Sequence, residues 1–307
     1  MSPAGGTWTR RRFLAGAAAG VAVLAGGATA VVELVSHGVL PGGQLLDQLE
    51  GDCSVSRPPW RFSPLGPSMS GTFYSHARRR TVGYTVAFPA GHGPGSTIPL
   101  VVMLHGFGGN HTDALAGMSP AQAVALRVDG SPLPPLALVT VDGGNGYWNP
   151  HPGDDPMAMV TDELIPRCQA LGPGKAPQPV GAMGISMGGY GALLLGEKFP
   201  RLVRAVAAIS PAVWTSYDQA RGANPGAYAS AADFAACDAV THASALADTP
   251  VRVASGLDDP FHPGVVALAA ALPSHAVVDI SRGCHSGPFF TSQEPPSLAF
   301  LADRLTA

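Results

Sequence analysis

Charged residues are scarce in this sequence, and neither sign dominates. Only 13% of the 307 residues are charged, with 18 Lys and Arg against 21 Asp and Glu. A protein that binds nucleic acid needs a basic patch, and this balance leaves no basic face that stands out. We therefore expect no nucleic-acid partner.

Metal-site signatures are also missing. The sequence contains neither a C-x-x-C pair nor an H-E-x-x-H segment, so zinc is not indicated. We expect no metal and no other cofactor. The cysteines either remain small buried side chains or form two disulfides, for which three pairings exist. They are Cys53, Cys168, Cys237 and Cys284.

Apolar runs and chain breakers are what the sequence has in quantity. Hydrophobic residues make up 46% of it, and 39 Gly and 30 Pro separate the apolar runs. This length and composition suit one large α/β domain with many tight turns.

The first 35 residues have the pattern of an export signal. Residues 9–14 read Thr-Arg-Arg-Arg-Phe-Leu and precede an apolar run rich in Ala and Gly, which is typical of twin-arginine signals. Residues 28–30 fit an A-x-A cleavage site, but the run is also long enough to stay in a bilayer as an anchor. We expect an exported protein, extracellular or in the cell envelope, with membrane association if residues 1–35 are retained. Residues 36–67 then form a connector to a domain over residues 68–307.

Strand-like and helix-like segments alternate through that domain, which predicts a mostly parallel sheet with helices on both faces. The predicted strands are residues 70–75, 81–89, 100–104, 136–141, 180–183, 202–209, 250–254 and 276–280. The predicted helices are residues 113–126, 157–171, 190–199, 263–272 and 296–305. Residues 212–247 form the longest insertion and are expected to be a short cap.

Residues 180–199 have the pattern of a nucleophile elbow. Residues 184–188 read Gly-Ile-Ser-Met-Gly, which fits G-x-S-x-G between an apolar strand and a helical segment. The serine needs small neighbours because it occupies a strained turn. In a chain with 39 glycines the same pattern also arises as a tight turn without chemistry. Ser186 therefore needs partners before it counts as a nucleophile.

Those partners follow two later strands. A serine hydroxyl is a poor nucleophile near neutral pH, and the imidazole of His285 can take its proton. Asp259 would orient that ring and stabilise its charged form, with Asp258 as the rival acid. The order Ser186, Asp259, His285 is the chain order of α/β-hydrolases. His105 precedes the elbow, so we interpret it as a residue that shapes its own loop.

Two glycine-rich strand exits are candidates for the rest of the site. In residues 105–110 the glycines would let backbone N–H groups approach an oxyanion. We expect the oxyanion hole to be formed by the backbone N–H groups of Phe107 and Met187. Tyr147 and Trp148, in the second exit, either wall a substrate cleft or cover the sheet, and we assign them to substrate binding.

These motifs resemble the esterase D / antigen 85 branch of the α/β-hydrolases over residue 70 to the C-terminus. Residues 184–191 look like its nucleophile segment, and residues 256–261 like its G-x-x-D-x-F acid loop, which selects Asp259 over Asp258. Residues 283–285 look like its G-G-H turn, with Cys284 as a departure. The resemblance implies an α/β-hydrolase fold, a donor role for Phe107 and an acyl-serine intermediate.

We therefore expect an exported serine carboxylesterase that acts on a small-molecule or lipid-like ester. An envelope acyltransferase of the mycolyltransferase type would share these residues and differ in the acyl acceptor. A non-catalytic envelope binding protein on the same fold would be expected to lack a member of the triad, and none is missing. A disulfide at Cys284 would brace the loop that carries His285.

Overall fold

The strands of the described residues form two sheets. The computed structural model describes Cys53, Val55 and residues 59–307. The predicted export signal (residues 1–35) and most of the predicted connector lie outside the described residues. In chain order the strands are β1 (Arg61–Phe62), β2 (Ser68–Ser75), β3 (Arg80–Ala87), β4 (Leu100–Leu104), β5 (Leu126–Val128), β6 (Ser131–Pro132), β7 (Ala137–Val141), β8 (Val180–Ile185), β9 (Val203–Ile209), β10 (Val251–Asp258) and β11 (Val277–Cys284).

The large sheet has the strand order β11-β10-β9-β8-β4-β7-β3-β2. The pairs from β11 to β7 are parallel, and β3 pairs antiparallel with both β7 and β2. Every residue of β4, β7 and β8 is buried, as expected for parallel strands that are covered on both faces. The predicted fold class is therefore confirmed. In the small sheet β1 pairs with β5, so the end of the predicted connector packs onto the domain.

Helices cover both faces of the large sheet. They are α1 (Pro120–Val124), α2 (Pro156–Ala158, the π-helical Met159–Leu164 and Ile165–Ala170), α3 (Met187–Lys198), α4 (Tyr217–Ala223), α5 (Ala231–Ala236), α6 (His262–Ala271) and α7 (Gly287–Thr306). Side chains of α2, α3 and α6 join the core on one face, and those of α1 and α7 join it on the other. The predicted cap contains α4, α5 and the 3-10 turn Ala243–Leu246. Within the described residues, none of the helices combines the length and apolar character that crossing a membrane requires.

The helix predicted over residues 113–126 is wrong for most of its length. Gly117 has a φ of 91°, which a continuous helix does not allow. The side chains of Ser119 and Gln122 cap each other's backbone N–H groups, and this capping box starts the short helix α1. Leu126 then enters β5, where it pairs with Phe62.

The closing helix is longer than the prediction of residues 296–305. Helix α7 begins at Gly287, and Pro295 and Pro296 lie inside it. A proline in a helix interior costs about 3 kcal/mol, so the first half of α7 depends on tertiary contacts. The Thr291 hydroxyl donates to the Ala116 carbonyl oxygen, and the Gln293 amide oxygen accepts a hydrogen bond from Arg252. The sequence favoured a start at Pro296 because proline is common in the first helical turn.

Helix α3 is buried from Met187 to Glu197, so it buries an acid. Glu197 is 7% exposed, and neither carboxyl oxygen has a hydrogen-bond partner among the described residues. Burial, and then the nearby Asp238 carboxylate, raises the pKa of Glu197 to about 9. The folded protein therefore holds Glu197 as a neutral acid at neutral pH.

The variant Glu197→Gln is expected to stabilise the protein, and increasingly so as the pH rises from about 5 to 9. The unfolded chain loses this proton near its ordinary pKa of 4.5, whereas the folded protein keeps it to about 9. Because the folded state binds more protons in this window, wild-type stability falls as the pH rises. The slope is at most about 1.4 kcal/mol per pH unit. Glutamine has no such titration.

Thermal unfolding of both proteins at about pH 5 and pH 8.5 measures this effect. We expect nearly equal midpoints at the lower pH and a gain of several degrees for Glu197→Gln at the higher pH. The control is Asp303→Asn, which changes an exposed carboxylate on α7. A gain of the same size at both pH values would contradict a neutral Glu197.

Candidate active site

Ser186 occupies the strained turn between β8 and α3. Its φ of 56° and ψ of −120° are rare for a residue with a side chain and cost roughly 1–3 kcal/mol. A Cβ at Gly184 would lie 2.1 Å from the Gly188 carbonyl oxygen, and one at Gly188 would lie 1.9 Å from that of Leu104. Only glycine fits at these two positions, and the turn presents the half-buried Ser186 at the carboxyl edge of the sheet.

His285 and Asp259 lie in line with that serine. The distance from His285 Nε2 to Ser186 Oγ is 2.8 Å, and that from His285 Nδ1 to Asp259 Oδ2 is 2.9 Å. The Asp259 side chain is fully buried, and its other oxygen accepts the backbone N–H of Phe261. An ionised carboxylate only accepts, so Nδ1 carries the proton and Nε2 is left to accept from Ser186. The structure therefore brings the three predicted catalytic residues together.

The rival acid, Asp258, lies one residue before Asp259 and belongs to the strand. Asp258 is the last residue of β10, where it pairs with Cys284 in the parallel ladder. Its side chain is half-buried, and the carboxylate that meets His285 is that of Asp259. The geometry thus favours the residue that the sequence resemblance selected.

The predicted oxyanion donors lie on either side of the serine. Met187 is the first residue of α3, and Phe107 follows Gly106, where a Cβ would lie 3.7 Å from Ser186 Cβ. Among the described residues, neither backbone N–H is engaged by an acceptor of the protein. Both donors are therefore available to a ligand atom next to Ser186.

His105 holds the loop that carries Phe107. Its ring is fully buried, and the Gly143 backbone N–H donates to Nε2 at 2.8 Å. Nδ1 must then carry the proton, which it donates to the Gly106 carbonyl oxygen at 2.7 Å. Burial lowers the pKa of His105 and keeps this neutral tautomer. His105 thus joins two strand exits and does not enter the relay.

The assignment of Tyr147 and Trp148 to substrate binding is contradicted by their burial. Trp148 is fully buried behind the loop of His105, and its indole N–H donates to the His105 carbonyl oxygen. Tyr147 is 4% exposed and packs in a cluster with Tyr190, Trp214 and Tyr228. Both residues cover the sheet, the other reading that their sequence allowed.

Two aromatic residues that the sequence analysis did not assign to the site flank the imidazole. The ring centroids of Phe261 and Phe290 lie 5.1 and 4.9 Å from that of His285. Phe261 is the last residue of the G-x-x-D-x-F pattern, so the sequence could have assigned it to the site. Phe290 lies in the first turns of α7, where no helix was expected, so its position beside the imidazole could not be predicted.

One disulfide forms among the described residues, between Cys53 and Cys284. Cys168 and Cys237 are buried thiols without a bridge. The pairing that forms is the one that attaches the residue next to His285 to the segment preceding the domain.

A mostly parallel sheet with a serine elbow, an acid loop and a histidine turn at its carboxyl edge defines an α/β-hydrolase. The sequence profile of the family "Putative esterase" matches residues 75–264, which is more than half of the chain. The chain belongs to this family, which confirms the predicted relationship to the esterase D / antigen 85 branch. It is a serine hydrolase that acts on esters. The matched residues include Ser186 and Asp259, and His285 lies beyond them.

Solved structures support the fold. A ferulic acid esterase is 18% identical with a TM-score of 0.61, and the alignment covers 78% of this chain and 98% of the other. An S-formylglutathione hydrolase from Agrobacterium tumefaciens is 19% identical with a TM-score of 0.61, over 80% and 98% of the two chains. MPT51 from Mycobacterium tuberculosis is 17% identical with a TM-score of 0.57, over 81% and 100%. A search of curated protein sequences gave no match.

Proposed function

We propose that the protein is an exported carboxylesterase in which Ser186 is the nucleophile, His285 the general base and Asp259 the residue that orients His285. The observation that carries this proposal is the continuous relay, with distances of 2.8 Å and 2.9 Å across the imidazole. A nucleophile, its base and an orienting acid within hydrogen-bond distance are the arrangement that acyl-serine chemistry requires.

In the first half of the reaction, Ser186 Oγ attacks the ester carbonyl carbon while its proton moves to His285 Nε2. The buried Asp259 carboxylate stabilises the imidazolium that forms. The backbone N–H groups of Phe107 and Met187 bind the negative oxygen of the tetrahedral intermediate, and each such donor is typically worth about 3 kcal/mol of barrier. His285 then returns the proton to the leaving alcohol, and the acyl group stays on Ser186.

In the second half, His285 takes a proton from water while the water oxygen attacks the acyl carbon. His285 then returns this proton to Ser186 Oγ as the bond from Oγ to the acyl carbon breaks and the acid leaves. Transfer of the acyl group to a sugar or to glycerol would use the same residues with another acceptor. The substrate is a small-molecule or lipid-like ester. The exposed Phe107, which is 61% accessible next to the proposed oxyanion hole, supports an apolar group on that substrate.

Two features support export. Residues 9–14 carry the arginine motif of a twin-arginine signal, and membrane association would follow if residues 1–35 were kept. The Cys53–Cys284 disulfide also suits an oxidising compartment, because such bridges are rare in the cytosol.

Labelling of cell fractions with a fluorophosphonate probe tests this function and location together. We expect the probe to label the wild-type protein in the exported fraction, on Ser186 alone. The double variant Arg10→Lys and Arg11→Lys should leave the labelled protein in the cytoplasm, while the matched control Arg12→Lys should still be exported. Lack of labelling would refute the serine mechanism, and labelling confined to the cytoplasm in the wild type would refute export.

The same exported fraction identifies the acyl acceptor. With an ester substrate and added glycerol, we expect the free acid to be the main product. A glycerol ester as the main product would instead assign the protein as an acyltransferase.

A further inference from the structure

The histidine of the relay stands at the end of an edge strand. Strand β11 begins the strand order of the large sheet, so β10 is its one neighbour in that sheet. Most residues of β11 are exposed or half-buried, and only Gly283 and Cys284 are buried. The pairing with β10 also shifts register between Gly256 and Asp258, just before the turn that carries His285. Edge strands with an interrupted ladder open more easily than central ones.

Cys53 and Val55, which precede the domain, lie against this strand end. Cys53 is bonded to Cys284, the residue directly before His285, over a sequence separation of 231 residues. Val55 reaches the same place, because a Cβ at Gly283 would lie 3.1 Å from Val55 Cγ2. Cys53 and Val55 therefore contact two consecutive residues of β11 next to the imidazole.

The turn has little room to move while these contacts hold. A Cβ at Gly256 would lie 2.1 Å from the Gly283 carbonyl oxygen, so the acid loop and the histidine turn touch through their backbones. A Cβ at Gly283 would also meet the ring of Phe289 at 2.4 Å, so α7 covers the turn as well. The disulfide to Cys53 is the one covalent bond among these contacts of the histidine turn.

We propose that Cys53 and Cys284 are positioning residues, and that their disulfide fixes His285 at hydrogen-bonding distance from Ser186. This inference rests on the proposed function, because it assigns the bridge a role in that relay. A displacement of about 1 Å in a catalytic group can lower a rate by about 100-fold. Loss of the bridge should therefore act on the chemical step, while substrate binding stays nearly as it was.

The bridge also links activity to the redox state of the compartment. Its formation takes one proton and one electron from each thiol, and the acceptor is another disulfide, which leaves as two thiols. The reduced protein would keep Ser186, His285 and Asp259 but lack the covalent bond that holds the histidine turn. The full rate is then reached after oxidation.

A pure stability role must be separated from a positioning role, since a bridge that closes so long a loop also destabilises the unfolded chain. Assays are therefore run well below the unfolding midpoint of every sample. Active protein is counted by titration with a fluorophosphonate, so that kcat refers to folded enzyme. The samples are the wild type, the wild type reduced with tris(2-carboxyethyl)phosphine, Cys53→Ser, Cys284→Ser and the double variant. Cys168→Ser, which removes a buried thiol elsewhere in the core, is the matched control.

We expect the reduced wild type and all three bridge variants to lose kcat by the same factor, about 10- to 100-fold, with KM within about 2-fold. Reduction should leave the double variant unchanged. Cys168→Ser keeps the bridge, so it should match the wild type before reduction and lose kcat by the same factor after it. Full kcat in Cys53→Ser and in the reduced wild type would overturn the proposal and leave the bridge a stabilising link. A loss in Cys284→Ser alone would overturn it too, because it would point to packing of that side chain. Turnover that survives Ser186→Ala would instead refute the proposed function itself.

Discussion

Replacement of Ser186 by alanine is expected to lower kcat for p-nitrophenyl acetate by about 10⁴-fold or more. Without the hydroxyl there is no nucleophile for His285 to activate, and only the oxyanion donors and binding contacts remain to assist water. The fold should be unaffected, because alanine removes one oxygen from the turn and tolerates a φ of 56° no worse than serine does.

A second strained serine provides the matched control. Ser210 follows β9, has a φ of 43° and is fully buried, and its hydroxyl has no partner among the described residues. Ser210→Ala should keep kcat within about 3-fold of wild type, because this hydroxyl is outside the relay. Initial rates per mole of purified protein measure both variants, because Ser186→Ala cannot be titrated at the active site. Thermal unfolding checks that both are folded. Equal losses in the two variants would show that the backbone of the carboxyl edge matters and that the Ser186 hydroxyl does not.

The second large effect is expected at the acid. Asp259→Asn should lower kcat by about 10³- to 10⁴-fold. An asparagine amide can donate to His285 Nδ1, which would place the ring proton on Nε2, where it faces Ser186 and blocks general-base catalysis. Asp258→Asn makes the same chemical change at the adjacent position, and we expect it to cost less than about 10-fold because the carboxylate that bonds to His285 Nδ1 is that of Asp259.

The comparison of these two variants with one ester at several pH values is the measurement. The rate losses can be assigned to the catalytic step only if both variants unfold at the same midpoint as the wild type. If Asp258→Asn were the more damaging change, the acid would have to be moved by one residue, and the 2.9 Å contact of Asp259 would be structural.

The elements of this protein that could be predicted from its sequence are those with a local cause. β4, β7 and β8 are apolar runs that the sheet buries on both faces, and the turn at Ser186 is marked by glycines that the crowded backbone requires. The candidate relay follows from the same logic, because the carboxyl ends of parallel strands meet at one edge. The chain order serine, acid, histidine then excludes His105 as the catalytic base, because His105 precedes Ser186.

The elements that sequence reasoning missed depend on distant contacts. The helix predicted over residues 113–126 is interrupted at Gly117, because this residue has a positive φ that the spacing of apolar residues does not predict. The start of α7 depends on partners such as Arg252, far away in the chain. For Trp148, the residue type alone does not distinguish a cleft wall from a core side chain, because the direction of the side chain is set by the folded backbone. The pairing of Cys53 with Cys284 could not be predicted either, because the fold brings these two residues together across a separation of 231 residues.

The indole of Trp148 occupies a space that two glycines leave for it. A Cβ at Gly143 would lie 2.1 Å from this ring, and one at Gly191 would lie 2.7 Å from it. The three positions are therefore interdependent. A larger residue at either glycine is tolerated only together with a smaller one at position 148. Redesign of the loop after β7 for new substrates should keep these three positions together and diversify the residues around them.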